Sequence, residues 1–158
     1  MKVTIAEPSE ADALNEIAFA AKRHWGYPEH WIEQWRSVLT VSPEFISTHE
    51  TLAALEEQRI LGFAALGEEC GVLWLLHLWV SPAAMGRGVG RALFRETQRR
   101  AQALGFFTFD IESDPHAAGF YERMGAECVR IHATSIGGQP RALPIYRCHV
   151  LDEVDRDT

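Results

Sequence analysis

Apolar residues at Leu14, Ile17, Ala18, Ala21 and Trp25 recur three and four apart, a spacing that predicts an amphipathic helix with one buried stripe. Ser9 is a candidate N-cap with Asp12 three residues on, and Gly26 and Pro28 break the pattern beyond Trp25. A second helix is expected from Glu29, with Ile32, Trp35 and Leu39 on its buried side. Trp31 and Trp35 lie one turn apart on it and are assigned to core packing. Ahead of both helices, residues 2–6 (KVTIA) suit a short strand. Behind them the pattern turns extended, with strands expected at 51–56, 59–66 and 72–80. The polar turn Glu57-Gln58 joins the first two and a Gly67 to Gly71 loop the last two, so the three form an antiparallel meander. The last of them, VLWLLHLWV, is almost continuously apolar, as in a central strand covered on both faces, and His77 interrupts it. A helix from Gly88 to Leu104 closes at Gly105, and FFTFDI (106–111) makes a fifth strand. Asp114 and Pro115 fill the N-cap and N1 positions of another helix, which Gly125 ends before strands near 127–133 and 142–150.

Seven strands with about four helices between and beside them give an α/β fold of the α+β type, with too few crossover helices for a doubly wound sheet. A chain of 158 residues suits one core, and residues 1–150 are taken as a single domain followed by an acidic tail, 151–158, that is expected to fray. The net charge of −7 argues against a broad hold on nucleic acid and favours a cationic ligand such as an amine. No apolar run approaches the ~20 residues that span a bilayer, and MKVTIAEP lacks the apolar stretch of a signal peptide, so a cytoplasmic protein without a membrane partner is expected. Cys70, Cys128 and Cys148 are odd in number and lack CxxC spacing, which indicates neither a disulfide framework nor a metal site.

The densest chemistry lies in Val80-Ser81-Pro82-Ala83-Ala84-Met85-Gly86-Arg87-Gly88-Val89-Gly90-Arg91, which leaves a buried strand, passes a glycine-rich turn and enters a helix. Glycines let backbone N–H groups close on a phosphate, the helix N-terminus adds about half a positive charge, and Arg87 and Arg91 add full ones. A dinucleotide fingerprint is excluded, because the sixth position is Arg91 counted from Gly86 and Leu93 counted from Gly88. A P-loop is excluded too, since no Gly-Lys-Ser/Thr follows.

This segment resembles motif A of the GCN5-related N-acetyltransferases, a strand ending Val-x-Pro and then Gln/Arg-x-x-Gly-x-Gly-Ala/Gly. Gly88 and Gly90 match it, Leu78, Val80 and Pro82 resemble its strand, and Met85 stands where Gln or Arg is usual. Asp114-Pro115-His116-Ala117-Ala118-Gly119-Phe120-Tyr121, running on to Gly125-Ala126, is similar to the family's motif B, with Asp114 in place of the usual Asn. The resemblance covers residues 60–132 well.

What it implies is a mixed, mostly antiparallel sheet splayed between the fourth and fifth strands, with acetyl-CoA in the wedge as acetyl donor and no metal. The pantetheine arm would pair with backbone at Leu78, Trp79 and Val80. The pyrophosphate would rest on the N–H groups of Gly86, Arg87, Gly88, Val89 and Gly90, with Met85, Arg91, Asp114, Ala118 and Tyr121 also on the cofactor. The implied reaction is direct: an amine attacks the thioester carbonyl, and a backbone N–H near Leu78 holds the oxyanion. Tyr121 is the implied donor to the leaving thiolate, since a phenol of pKa ~10 is protonated at neutral pH. For the base, His77, Glu112 and an ordered water all stay open; strand alternation turns His77 away from Leu78 and Val80. The loop between the first two helices borders the acceptor site in this family, which brings His24, Trp25, Tyr27 and Pro28 to the amine. Arg141 to Tyr146 is left either as the far wall of that site or as a homodimer contact. The expected acceptor is a small primary amine, with a protein N-terminus or lysine, or a non-catalytic CoA-binding role, as alternatives.

Overall fold

The computed structural model describes residues 1–150, so the tail 151–158 expected to fray lies outside the described residues. Strand β1 (Lys2–Ile5) leads into a single 3-10 turn at Pro8–Glu10 and then α1 (Ala11–His24). The turn starts one step before the expected Ser9: Pro8, whose fixed φ suits a first position, follows Glu7, and the Glu10 carboxylate accepts from the Glu7 N–H at 2.7 Å. The helix expected from Glu29 is divided into α2 (Glu29–Gln34) and α3 (Arg36–Leu39), and a further helix that was not expected, α4 (Pro43–Thr48), follows. Ser42 and Pro43 explain α4, since the Ser42 hydroxyl accepts from the Phe45 N–H at 3.0 Å and Pro43 takes N1. Ile32 and Leu39 are buried as the periodicity requires, and Trp35 is half-buried.

The remaining elements are β2 (Glu50–Glu56), β3 (Arg59–Glu69), β4 (Val72–Val80), α5 (Val89–Ala103), β5 (Thr108–Glu112), α6 (Ala118–Arg123), β6 (Glu127–Ile136) and β7 (Gln139–His149). The strand order is β1-β2-β3-β4-β5-β7-β6. β1 runs antiparallel to β2 with Lys2 opposite Leu55, and β4 pairs parallel with β5 through Trp74 and Asp110. β7 lies antiparallel to both β5 and β6, with a bulge at Cys128/Arg130 on β6. A mixed, mostly antiparallel sheet of seven strands with α5 between a parallel pair is therefore the observed architecture.

The described residues group into two compact units, one of Met1–Ala65 with His77–Phe94, the other of Leu66–Leu76 with the residues from Arg95 on. In the first, Leu14, Ile17, Ala18, Val41, Ile46, Ala53 and Phe63 form a core cluster, which confirms the stripe on α1. In the second, Phe109, Ile111, Ile145, Tyr146 and Cys148 are buried along β5 and β7.

Within the first unit, Gly62 sets how closely α5 approaches the sheet. A Cβ there would lie 2.6 Å from the Trp79 carbonyl oxygen and 3.1–3.2 Å from Leu93 and Val89. Only glycine lets the first turn of α5 pack against β3 beside β4.

Candidate active site

The glycine turn is built from its two ends. As β4 stops, the Ser81 N–H donates to the Leu61 carbonyl at 2.8 Å, and Pro82 starts a 3-10 turn, Pro82–Ala84. Met85 is extended, Gly86 and Gly88 take left-handed φ of 79° and 82°, and α5 begins at Val89. A Cβ at Gly86 or Gly88 would meet nothing within 4 Å, so neighbouring atoms do not demand glycine there; the backbone conformation does. The first N–H groups of any helix have no intrahelical acceptor, which leaves the head of α5 suited to an anion. Arg91 is exposed on its first turn. Arg87, also exposed, places Nη2 2.8 Å from both carboxylate oxygens of Glu56, and that guanidinium holds the Glu56 carboxyl below its usual range. Leu78, Trp79 and Val80 are half-buried at the end of β4.

Beside the turn, in the same unit, His77 is buried between Phe45 and Phe63, with ring centres 5.6 and 5.7 Å away. The Trp79 indole N–H donates to His77 Nδ1 at 3.1 Å, so in the neutral ring the proton sits on Nε2. Burial, and secondarily the charge of His49, lower the imidazole pKa to about 4. His49 itself stacks on Phe45 at 3.8 Å and turns Nδ1 to the Phe45 carbonyl at 2.9 Å.

Trp25 and Tyr27, expected at the acceptor, surround a cation of the chain itself. Nζ of Lys22 lies 4.1 Å from the ring centre of Trp35, 4.8 Å from Tyr27, 5.8 Å from Trp79 and 6.0 Å from Trp25. Lys22 is only 7% exposed, while His24 at the end of α1 is exposed.

In the second unit Tyr121 is buried on α6, its ring 6.1 Å from that of Tyr146. Burial first, then the charges of Cys148 and Asp114, raise its phenol well above the ordinary range. Asp114 accepts from the His116 backbone N–H and Nδ1, both at 2.9 Å, and its other oxygen lies 3.6 Å from Arg141. It thus caps a 3-10 turn, Pro115–Ala117, that runs into α6 at the half-buried Ala118. Glu112, exposed at the end of β5, faces His132 Nδ1 at 3.1 Å. Tyr146 donates to Glu122 at 2.7 Å and is pushed up to about 12.

The structure thus gathers Met85 to Arg91 with the end of β4, and Trp25, Tyr27 and Trp79 with His77, in one unit. It gathers Asp114, Ala118, Tyr121 and Glu112 along β5 and α6 in the other. Lys22, His49, Glu56 and Gly62 escaped sequence reasoning. Among the described residues no group of three or more His, Cys, Asp or Glu is arranged to hold a metal ion, and no described helix is long and apolar enough to cross a membrane.

A glycine turn between a buried strand and a helix, on a mixed seven-stranded sheet, is an arrangement this chain has in common with the fold of solved GCN5-related N-acetyltransferases. Residues 47–125 match the family model for the acetyltransferase (GNAT) domain, and the chain belongs to that family of acetyl-CoA-dependent N-acetyltransferases. A curated relative, peptidyl-lysine N-acetyltransferase YiaC of Escherichia coli (strain K12), is 26% identical over 125 residues, which cover 78% of this chain and 82% of the relative. Among solved structures, a GCN5-related N-acetyltransferase from Rhodopseudomonas palustris superposes with a TM-score of 0.78 at 23% identity, over 94% of each chain. An aminoglycoside 6'-N-acetyltransferase complexed with coenzyme A superposes with a TM-score of 0.74 at 14% identity, over 97% of this chain and 99% of that one.

Proposed function

We propose that the chain transfers the acetyl group of acetyl-CoA directly to the primary amine of a small molecule, with Tyr121 protonating the departing thiolate. The supporting observation is the head of α5, where two left-handed glycines, with open space where side chains would project, precede a helix flanked by Arg87 and Arg91. Such a surface fits a pyrophosphate, which is assigned to the backbone from Met85 to Gly90 with Arg91 beside it. The pantetheine arm is assigned to Leu78, Trp79 and Val80, and Asp114 and Ala118 to the same cofactor. Residues 1–150 act in this reading as one catalytic domain.

Acetyl-CoA brings an activated thioester; the chain supplies orientation and proton control. Burial keeps the Tyr121 phenol protonated, the state a donor needs. His77 uses its Nδ1 lone pair on Trp79 and carries its proton on Nε2, so we assign removal of the amine proton to water and to His77 the task of holding Trp79. Glu112 is engaged by His132. His24, Trp25 and Tyr27 border the acceptor, and the net charge of −7 draws a cationic amine toward the protein. The exposed free thiols of Cys70 and Cys128 suit a reducing compartment, the cytoplasm. A protein lysine is the second reading, favoured by the name of the Escherichia coli relative.

Thiol release from acetyl-CoA over a panel of small amines and one lysine peptide tests both. Amine-dependent release with a small amine is expected; release with the peptide alone moves the assignment to protein acetylation, and none with any amine removes the proposal.

A further inference from the structure

Lysine is rare in this chain: Lys2 and Lys22 are its only two, against thirteen arginines. Lys2 is exposed on β1, whereas Lys22 projects from the buried side of α1 into four aromatic rings. A cation taken out of water needs compensation, and ring faces within about 6 Å supply part of it. The rings brace one another. Tyr27 meets Trp35 edge-on at 5.0 Å, Trp25 tilts onto Trp79 at 5.9 Å, and His77 tethers the Trp79 indole. Tyr27, Trp35 and Trp79 are backed by the buried Phe19, Ile32 and Leu39. The walls are therefore fixed by packing of their own and not by the lysine alone. All four rings are only half-buried, which leaves part of their surface at solvent.

We propose that this box is an alkylammonium subsite of the acceptor pocket, and that Lys22 is its resident occupant, displaced by the straight-chain primary ammonium of an incoming acceptor. The shape selects a linear alkyl stem with a compact charged tip, as Lys22 itself presents, over a planar guanidinium. A role for the box in turnover rests on the acetyl-transfer reading above; its ligand chemistry does not.

Lys22→Ala removes the three carbons and the nitrogen beyond Cβ, leaving a gap of the size of n-propylammonium. In that variant n-propylammonium is expected to change tryptophan fluorescence saturably and to raise the melting temperature, with 1-propanol at least about tenfold weaker. The wild type should respond only at much higher concentration, because Lys22 competes. A folded variant with no saturable response, or one that binds 1-propanol equally well, overturns the proposal. The wild type decides the matter if Lys22→Ala does not fold. n-Propyltrimethylammonium, which keeps a straight alkyl stem and cannot react with acetic anhydride, should raise labelling of Lys22 several-fold relative to Lys2, read by peptide mass spectrometry, and an unchanged ratio overturns the proposal. Both arms run without acetyl-CoA, so failure of the acetyl-transfer reading would show in the thiol-release assay and not here.

Discussion

The phenol of Tyr121 and the imidazole of His77 are both buried, and burial drives their titrations in opposite directions, which gives each a distinct signature. The raised Tyr121 pKa keeps its proton through and beyond the ordinary value near ~10, so the stability linked to it is present below that value and lost only as pH rises through the higher folded one. The wild-type kcat should therefore show no falling limb from Tyr121 up to about pH 10. Tyr121→Phe should lower single-turnover acetyl transfer by about 10²–10⁴-fold while leaving acetyl-CoA affinity unchanged, as rapid quench and calorimetry would read. A Phe variant at the wild-type rate would return Tyr121 to a packing role. His77 behaves in the reverse sense: its pKa falls from 6.5 to about 4, so the unfolded chain binds the extra proton first. Stability tied to His77 is complete above pH ~6.5 and lost as pH falls through about 4, a total of roughly 3 kcal/mol. Urea unfolding from pH 7 to 4 should show this loss, and His77→Gln, which can still accept from Trp79, should flatten it; an unaltered slope would contradict the assignment. At this scale the sequence could have disclosed Lys22, which follows Ala18 by four residues and so falls on the apolar side of α1. A charge on a buried stripe is a signal that counting only apolar positions passes over.

Elements were legible where local chemistry decides them. The nine residues of β4, eight of them apolar, fell where the pattern puts them, and α5 begins and ends within one residue of the expected Gly88 and Leu104, because a central strand and a long amphipathic helix leave few alternatives. The division after α2 was not foreseen, although Ser42-Pro43 announces α4 as plainly as Asp114-Pro115 announces the turn before α6. Gly62 looked like an ordinary strand residue, since its reason is a backbone oxygen on a neighbouring strand. Gly62→Ala should cost about 1–3 kcal/mol through overpacking, measurable by urea unfolding, and a neutral result would mean that α5 can shift at little cost. The β2–β3 turn offers the opposite test. Glu57 and Gln58 both take left-handed φ, 50° and 67°, without being glycine. Replacing the pair by Asn-Gly should stabilise the protein by about 1 kcal/mol, seen as a higher melting temperature.

For the whole molecule, the fold class and the two segments that carry the family likeness could be read from sequence, because a glycine turn at a strand–helix junction and a capped helix are local patterns. The aromatic box could not, since Lys22, Trp35 and Trp79 come together only through folding of α1, the α2–α3 junction and β4. The central claim is that the head of α5 holds acetyl-CoA. Calorimetric titration of CoA into the wild type and Gly88→Asp tests it most directly, because a Cβ at Gly88 meets no atom of the protein and the change acts through backbone conformation and added negative charge. The account predicts one CoA bound per wild-type chain and at least about hundredfold weaker binding by a variant that remains folded, a loss of roughly 3 kcal/mol. Equal affinity in a folded Gly88→Asp protein would contradict it.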